Sequence, residues 1–213
     1  MEELSMCLCS RLDPIPVYHP PHTEEEAMPF GSLWLPVVAA TVAVFVVSSI
    51  LHMALKYHYA DYKKLPNEDT VGEVLRKAAL APALYVIPHC MDAKSMKDPE
   101  VVKKYEAGPV GIITILRNGP PALGKYLVQW FALSFFISFT AAYVARHTLS
   151  AGVAGLDVMR VTGTIAFAAY GYGHLQDSIW KGIPWSNTAR GLIDALVYAV
   201  VTGLAFRFLW PGV

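Results

Sequence analysis

Long unbroken runs of apolar residues, rather than strict alternation, dominate this chain from position 33 onward. A hydrocarbon core of ~30 Å requires roughly 20 mostly apolar residues in a helix rising 1.5 Å per residue. Four stretches meet that length: 33–53, 126–145, 161–180 and 191–210. The first two contain no formal charge, and Pro36 falls in the first turn of its run, where a missing N–H costs little. The pattern predicts an all-α membrane protein built as a four-transmembrane-helix bundle. It divides the chain into a polar, flexible tail (1–27), a first spanning helix (28–58), a connection (59–124) and three further spans (125–213).

The connection is too long for a plain loop and carries its own signals. Thr70 followed by Glu73 is a capping-box pattern, and Val71, Leu75, Ala78 and Ala79 form one apolar face behind it. Asp98-Pro99-Glu100 opens a second helix with Val101, Val102 and Tyr105 on its apolar side and Gly108 beyond its end. Two β-like runs, ALYVIP (83–88) and VGIITIL (110–116), flank that helix, and RNGPP turns the chain back toward the membrane. The expectation is a small α/β cap between spans 1 and 2, lying against the inner face of the bundle. GPPALGKY lacks phosphate-loop spacing and reads as a turn.

Lysine and arginine set the predicted orientation. The 56–125 connection holds Lys56, Lys63, Lys64, Arg76, Lys77, Lys94, Lys97, Lys103, Lys104, Arg117 and Lys125, and Lys181 and Arg190 stand in the short 181–190 connection. Only Arg11, Arg146, Arg160 and Arg207 fall on the other side. Both termini are therefore expected outside and the cap in the cytoplasm. The zero formal net charge argues against a nucleic-acid binder, which needs a basic face. Three cysteines are too few and too scattered for a disulfide framework. Residues 1–27 lack the basic-then-apolar order of a signal peptide. Their Cys7, Cys9, His19 and His22 are formally zinc-type ligands, but the spacings are tighter than in structural zinc sites.

With that topology, six polar residues fall at one depth near the inner ends of the spans. They are His52, Gln129, His174, Gln176, Asp177 and Asp194. In the third span, Gly163, Phe167, Tyr170, His174 and Asp177 share one helical face. A second face, Thr162, Ala166, Ala169, Gly173 and Gln176, has the small-residue spacing of close helix packing, and Ser134 and Ser138 offer the same on the second span. His58 and Asp61 continue span 1 at helical spacing and extend the polar cluster. His89-Cys90 places a thiol near an imidazole, without any oxyanion-forming motif. Trp34, Trp130, Trp180, Trp185 and Trp210 fit interfacial belts.

SSILHM closing span 1, KLPNED after it, MKDPEVVKKYEAGPVG, GKYLVQWF opening span 2 and the final LWP together resemble a family of small four-span bacterial inner-membrane proteins. The resemblance covers roughly residues 28–213 and implies that architecture in a bacterial inner membrane, but no activity or cofactor.

Three functional expectations follow. The first is a non-enzymatic accessory or scaffold subunit of a membrane complex, meeting a protein partner or a second copy within the lipid bilayer through small-residue faces. The second is a membrane-embedded metal or haem site, with His52, His174, Asp177 and Asp194 as ligands from facing helices. The third is an oligomeric path for protons or a small solute, since ionisable groups are costly to place in a membrane. Against the last two stands local pairing, with Asp177–Lys181 and Arg190–Asp194 both at i,i+4 spacing.

Overall fold

The computed structural model describes residues 28–90 and 92–212, so the tail with Cys7, Cys9, His19 and His22 lies outside the described residues. A 3₁₀ turn at Phe30–Leu33 leads into α1 (Trp34–Ser49), which continues as a π-helical turn over Ile50–Ala54. Leu55 is extended (φ −90°, ψ 121°) and a second 3₁₀ turn follows at Lys56–Asp61. The connection then supplies α2 (Glu68–Lys77), β1 (Ala83–Ile87), α3 (Pro99–Ala107) and β2 (Gly111–Ile115). Three long helices complete the chain: α4 (Leu123–Thr148), α5 (Gly155–Lys181) and α6 (Trp185–Leu209).

Phe30–Ala54, α4 and α6 are each long and apolar enough to cross a membrane. α5 is as long, but charged groups enter at both ends and leave it uncharged only from Val161 to Gln176. That stretch covers about 24 Å of helix, short of the ~30 Å core.

The four long helices close into a ring in which α1 touches α4 and α6, and α5 touches α4 and α6. Each buries one stripe at helical spacing, as in Leu33, Val37, Ala40, Thr41, Val44 and Ser48 of the first. At one end Leu33, Val37, Ala142, Ala145, Val158, Phe206 and Trp210 pack together, and at the other Val44, Ile137, Ala166, Tyr170, Ala195 and Tyr198. α5 and α6 approach so closely that a Cβ on Gly163 would stand 3.2 Å from the Ala199 carbonyl oxygen, and one on Gly203 2.8 Å from Met159 Cγ. Gly182 (φ 68°) ends α5 in the left-handed conformation that lets the chain reverse into α6.

Thr162, Ala166, Ser134 and Ser138 are buried, as expected of packing positions, but Ala169 and Gly173 are exposed. Beyond Ala166 the inward positions are Tyr170 and Gly171 instead. Tyr170 packs its ring against Trp130 and Tyr198, and Gly171 meets Ala195 and Leu192. The stripe of small residues drifts off the packed face because α5 follows its aromatic partner rather than its glycines.

The connection forms two helices and two strands where its sequence predicts them. But α2 begins at Glu68 behind an Asn67 that makes no side-chain cap, so Thr70 and Glu73 lie within the helix rather than boxing its end, and Ala78 and Ala79 fall beyond it. Asp98 caps α3 by accepting from the Glu100 amide at 2.8 Å, and β1 pairs antiparallel with β2 from Ala83–Ile115 to Ile87–Gly111. Two short strands and two short helices provide little to cover their apolar faces. Among the described residues, none between positions 49 and 133 is buried. The segment's tie to the bundle is the Lys56–Asp61 turn, which packs against α6.

Candidate functional site

The extended Leu55 ends the first helix after Ala54, so His58 and Asp61 do not continue it at helical spacing. In an unbroken helix His52 and His58 would stand about 9 Å apart along the axis and on different faces. Instead the Lys56–Asp61 turn folds back over the end of the bundle. The two imidazole rings come within 4.4 Å, tilted by 39°. Single π turns frequently mark functional sites, and this one carries His52.

Asp194 is the centre of the arrangement. It is 4% exposed, although it is a carboxylate on an apolar helix. Tyr57 donates its hydroxyl to Asp194 Oδ1. His58 Nε2 stands 2.8 Å from Oδ2, and His52 Nε2 stands 3.6 Å from the same oxygen. Tyr198 hydroxyl lies 3.2 Å from His52 Nε2. Among the described residues, His52, His58 and Asp194 are the group whose metal-ligating atoms all lie within 4.8 Å of one another.

His58 is held from its other side. Its Nδ1 lies 2.7 Å from Asp61 Oδ2, while Arg190 Nε donates to Asp61 Oδ1 at 2.5 Å. Asn187 donates to the Asp61 carbonyl at 3.2 Å and accepts from Arg190 at 3.2 Å. Burial pushes the Asp61 carboxyl up, but the bonds from His58 and Arg190 outweigh it and hold the group below the usual carboxylate range. An ionised Asp61 favours a proton on His58 Nδ1. Nε2 then presents a lone pair toward the Asp194 carboxylate, which is repulsive unless a cation or a second proton lies between them.

The nitrogen–oxygen separations of 2.8 and 3.6 Å bracket what a small divalent ion requires. Ligands bonded at about 2.0–2.1 Å in tetrahedral geometry stand roughly 3.3 Å apart. A carboxylate behind a ligating histidine, itself anchored by an arginine, is the recurrent support of metal-binding imidazoles. His52 and His58 do not clasp a haem between them, because their ring centroids, 4.4 Å apart, leave too little room for an iron bonded to both.

The group opens into a cleft of about 660 Å³. His174 and Asp177 line it but do not join the three-ligand group. The His174 ring covers Gly191, where a Cβ would meet it at 2.8 Å. Asp177 is paired with Lys181 at 2.7 Å, as i,i+4 spacing predicts. The corresponding Arg190–Asp194 pair is replaced: Arg190 turns to Asp61 because the returning turn brings a carboxylate within reach. Gln129 and Gln176 are exposed and do not line the cleft. In its lining, Trp130 donates to Ser48 Oγ at 2.8 Å and packs against Tyr170 and Tyr198.

Compared with known proteins, the chain matches no family model, curated protein or solved structure.

Proposed function

We propose that this is a four-span bacterial inner-membrane protein that carries a divalent, zinc-class metal centre on His52, His58 and Asp194, at the cytoplasmic ends of its helices. The observation that carries the reading is the pair of imidazole nitrogens facing one oxygen of the buried Asp194, with His58 oriented from behind by Asp61 and Arg190. Two nitrogens and one carboxylate form a three-ligand set that leaves a coordination position open toward the cleft, as catalytic rather than structural zinc sites do. The same donors also suit ferrous iron.

The topology rests on charge and packing. Thirteen of the seventeen lysines and arginines fall on the side assigned to the cytoplasm. α5 supports a fourth span because it sits in the ring with the three apolar helices and its inner-end charges, Asp177 and Lys181, neutralise each other.

Protein purified from its own host and from a bacterial expression strain should contain about one zinc or iron per chain by elemental mass spectrometry. His58→Ala and Asp194→Asn should lose it, whereas His174→Ala should keep it, with all variants folded by circular dichroism. Metal-free wild type that also takes up no added zinc in a titration would sink the proposal. The cluster would then be a protonated His58 clasped between Asp61 and Asp194, a proton-carrying chain running from the surface to a buried carboxylate.

A further inference from the structure

The cleft has two kinds of wall. His52, His58, Asp194, Asn187 and Thr188 make one polar, and Trp130, Leu133, Ala169 and Tyr170 make the other largely apolar. Leu133, 49% exposed, and Ala169, also exposed, line the cleft from α4 and α5. These helices are neighbours in the ring, so the cleft reaches the bundle's side between them as well as its end at Tyr62, Ile183 and Pro184. In a four-span protein that side meets acyl chains.

From this, and resting on the metal reading above, we infer that the cleft takes one phosphate-headed membrane lipid, side-on from the bilayer between α4 and α5, with a headgroup oxygen on the metal's open position. Charge selects the headgroup. A divalent ion with Arg190 and Lys181 against Asp61, Asp177 and Asp194 leaves the site one positive charge in excess, which favours an anionic oxygen ligand. Shape selects the rest: about 660 Å³ is an ordinary small-ligand volume, enough for a headgroup and the start of a chain, and the lining includes the exposed apolar Leu133 and Ala169. A water-soluble anion would have no use for Leu133 and Ala169 at the opening.

The test uses the zinc-loaded full chain in nanodiscs containing phosphatidylglycerol with a photoactivatable group in its acyl chain, with cross-links mapped by mass spectrometry. Labelling should concentrate on the α4 and α5 peptides that contain Leu133 and Ala169. It should fall several-fold in Ala169→Trp and in Leu133→Trp, whose exposed positions tolerate bulk, and in zinc-free His58→Ala. The outward face of α1, with Val42 and Val46 as exposed as Leu133, gives the reference for unspecific lipid contact. Labelling of α4 and α5 no denser than on that face, or unchanged by both tryptophans, overturns the inference. Displacement by soluble glycerol phosphate alone would also overturn it, by making the ligand a free anion. Zinc measured in the same discs separates the two proposals. Its absence from wild type refutes the metal centre, and its presence with uniform labelling refutes the lipid.

Discussion

Asp61 touches no proposed ligand position itself, yet it should control the metal through His58. Asp61→Asn replaces the carboxylate that accepts from His58 Nδ1 at 2.7 Å and removes the anionic partner of Arg190. Loss of such a supporting carboxylate weakens metal binding by about 10–100-fold, or roughly 1.4–2.8 kcal/mol. Charge alone predicts at least as much. From one bond to the metal, the width of the ring and the 2.7 Å hydrogen bond, Asp61 stands about 7 Å from the ion, worth about 5 kcal/mol against a divalent charge at an effective dielectric of 20. Affinity therefore needs a second readout. Zinc affinity would be measured by competition with a chromophoric chelator, and the His58 tautomer by nitrogen-15 NMR of histidine-labelled protein. The expected result is weakened zinc binding together with loss of the tautomer that keeps the proton on Nδ1. Weakened binding with an unchanged tautomer would reduce Asp61 to a distant charge. Wild-type affinity would refute the supporting role altogether.

Four further outcomes are expected. Zinc at one hundred times its dissociation constant should stabilise the wild type by about 2.7 kcal/mol, seen as a raised melting temperature that is absent in His58→Ala. Gly203→Ala should cost about 1–3 kcal/mol in a detergent unfolding titration, because its Cβ would stand 2.8 Å from Met159 Cγ and 3.1 Å from the Met159 carbonyl oxygen; Gly173→Ala, with nothing within 4 Å, should be neutral. The stability Asp61 contributes should be whole above its ordinary pKa of about 3.9 and should fade as pH drops through its lower folded value. Metal-free Asp61→Asn should therefore lose that acid limb in melting curves taken from pH 7 downward. In a Cys7→Ser, Cys9→Ser background, a membrane-impermeant maleimide should label Cys90 in inside-out vesicles and not in intact spheroplasts, which would fix the connection as cytoplasmic.

Three of the long helices were legible because length and apolar composition alone mark a helix able to cross a membrane. The strand pair and the Asp98-capped helix were equally readable, since turn and cap chemistry is local. The site was half legible. His52 and Asp194 stood out as polar residues in apolar helices, and the packing of α1 on α6 brings them together. His58, which completes the group, was read as part of a continuing helix because KYHYADYKK keeps helical spacing and nothing in it demands a break. Helical periodicity is a weak signal over so few residues. What decides the local conformation is tertiary: Tyr57 and His58 meet the buried Asp194 carboxylate and Asp61 meets Arg190, both from α6, more than 120 positions away. An extended Leu55 is a small conformational cost beside leaving Asp194 unpaired in an apolar bundle, where an uncompensated charge costs several kcal/mol. The misreading of Arg190 has the same origin. Spacing of i,i+4 proposes Asp194 as its partner, but the turn that meets Asp194 also delivers Asp61, and the arginine takes the Asp61 oxygen that His58 leaves free. A buried acid on a spanning helix is thus better treated as a demand for partners from anywhere in the chain than as a residue to be paired with its nearest helical neighbour. The residues that answer the demand are to be sought where a polar aromatic-rich segment follows an apolar helix, as KYHYAD does here.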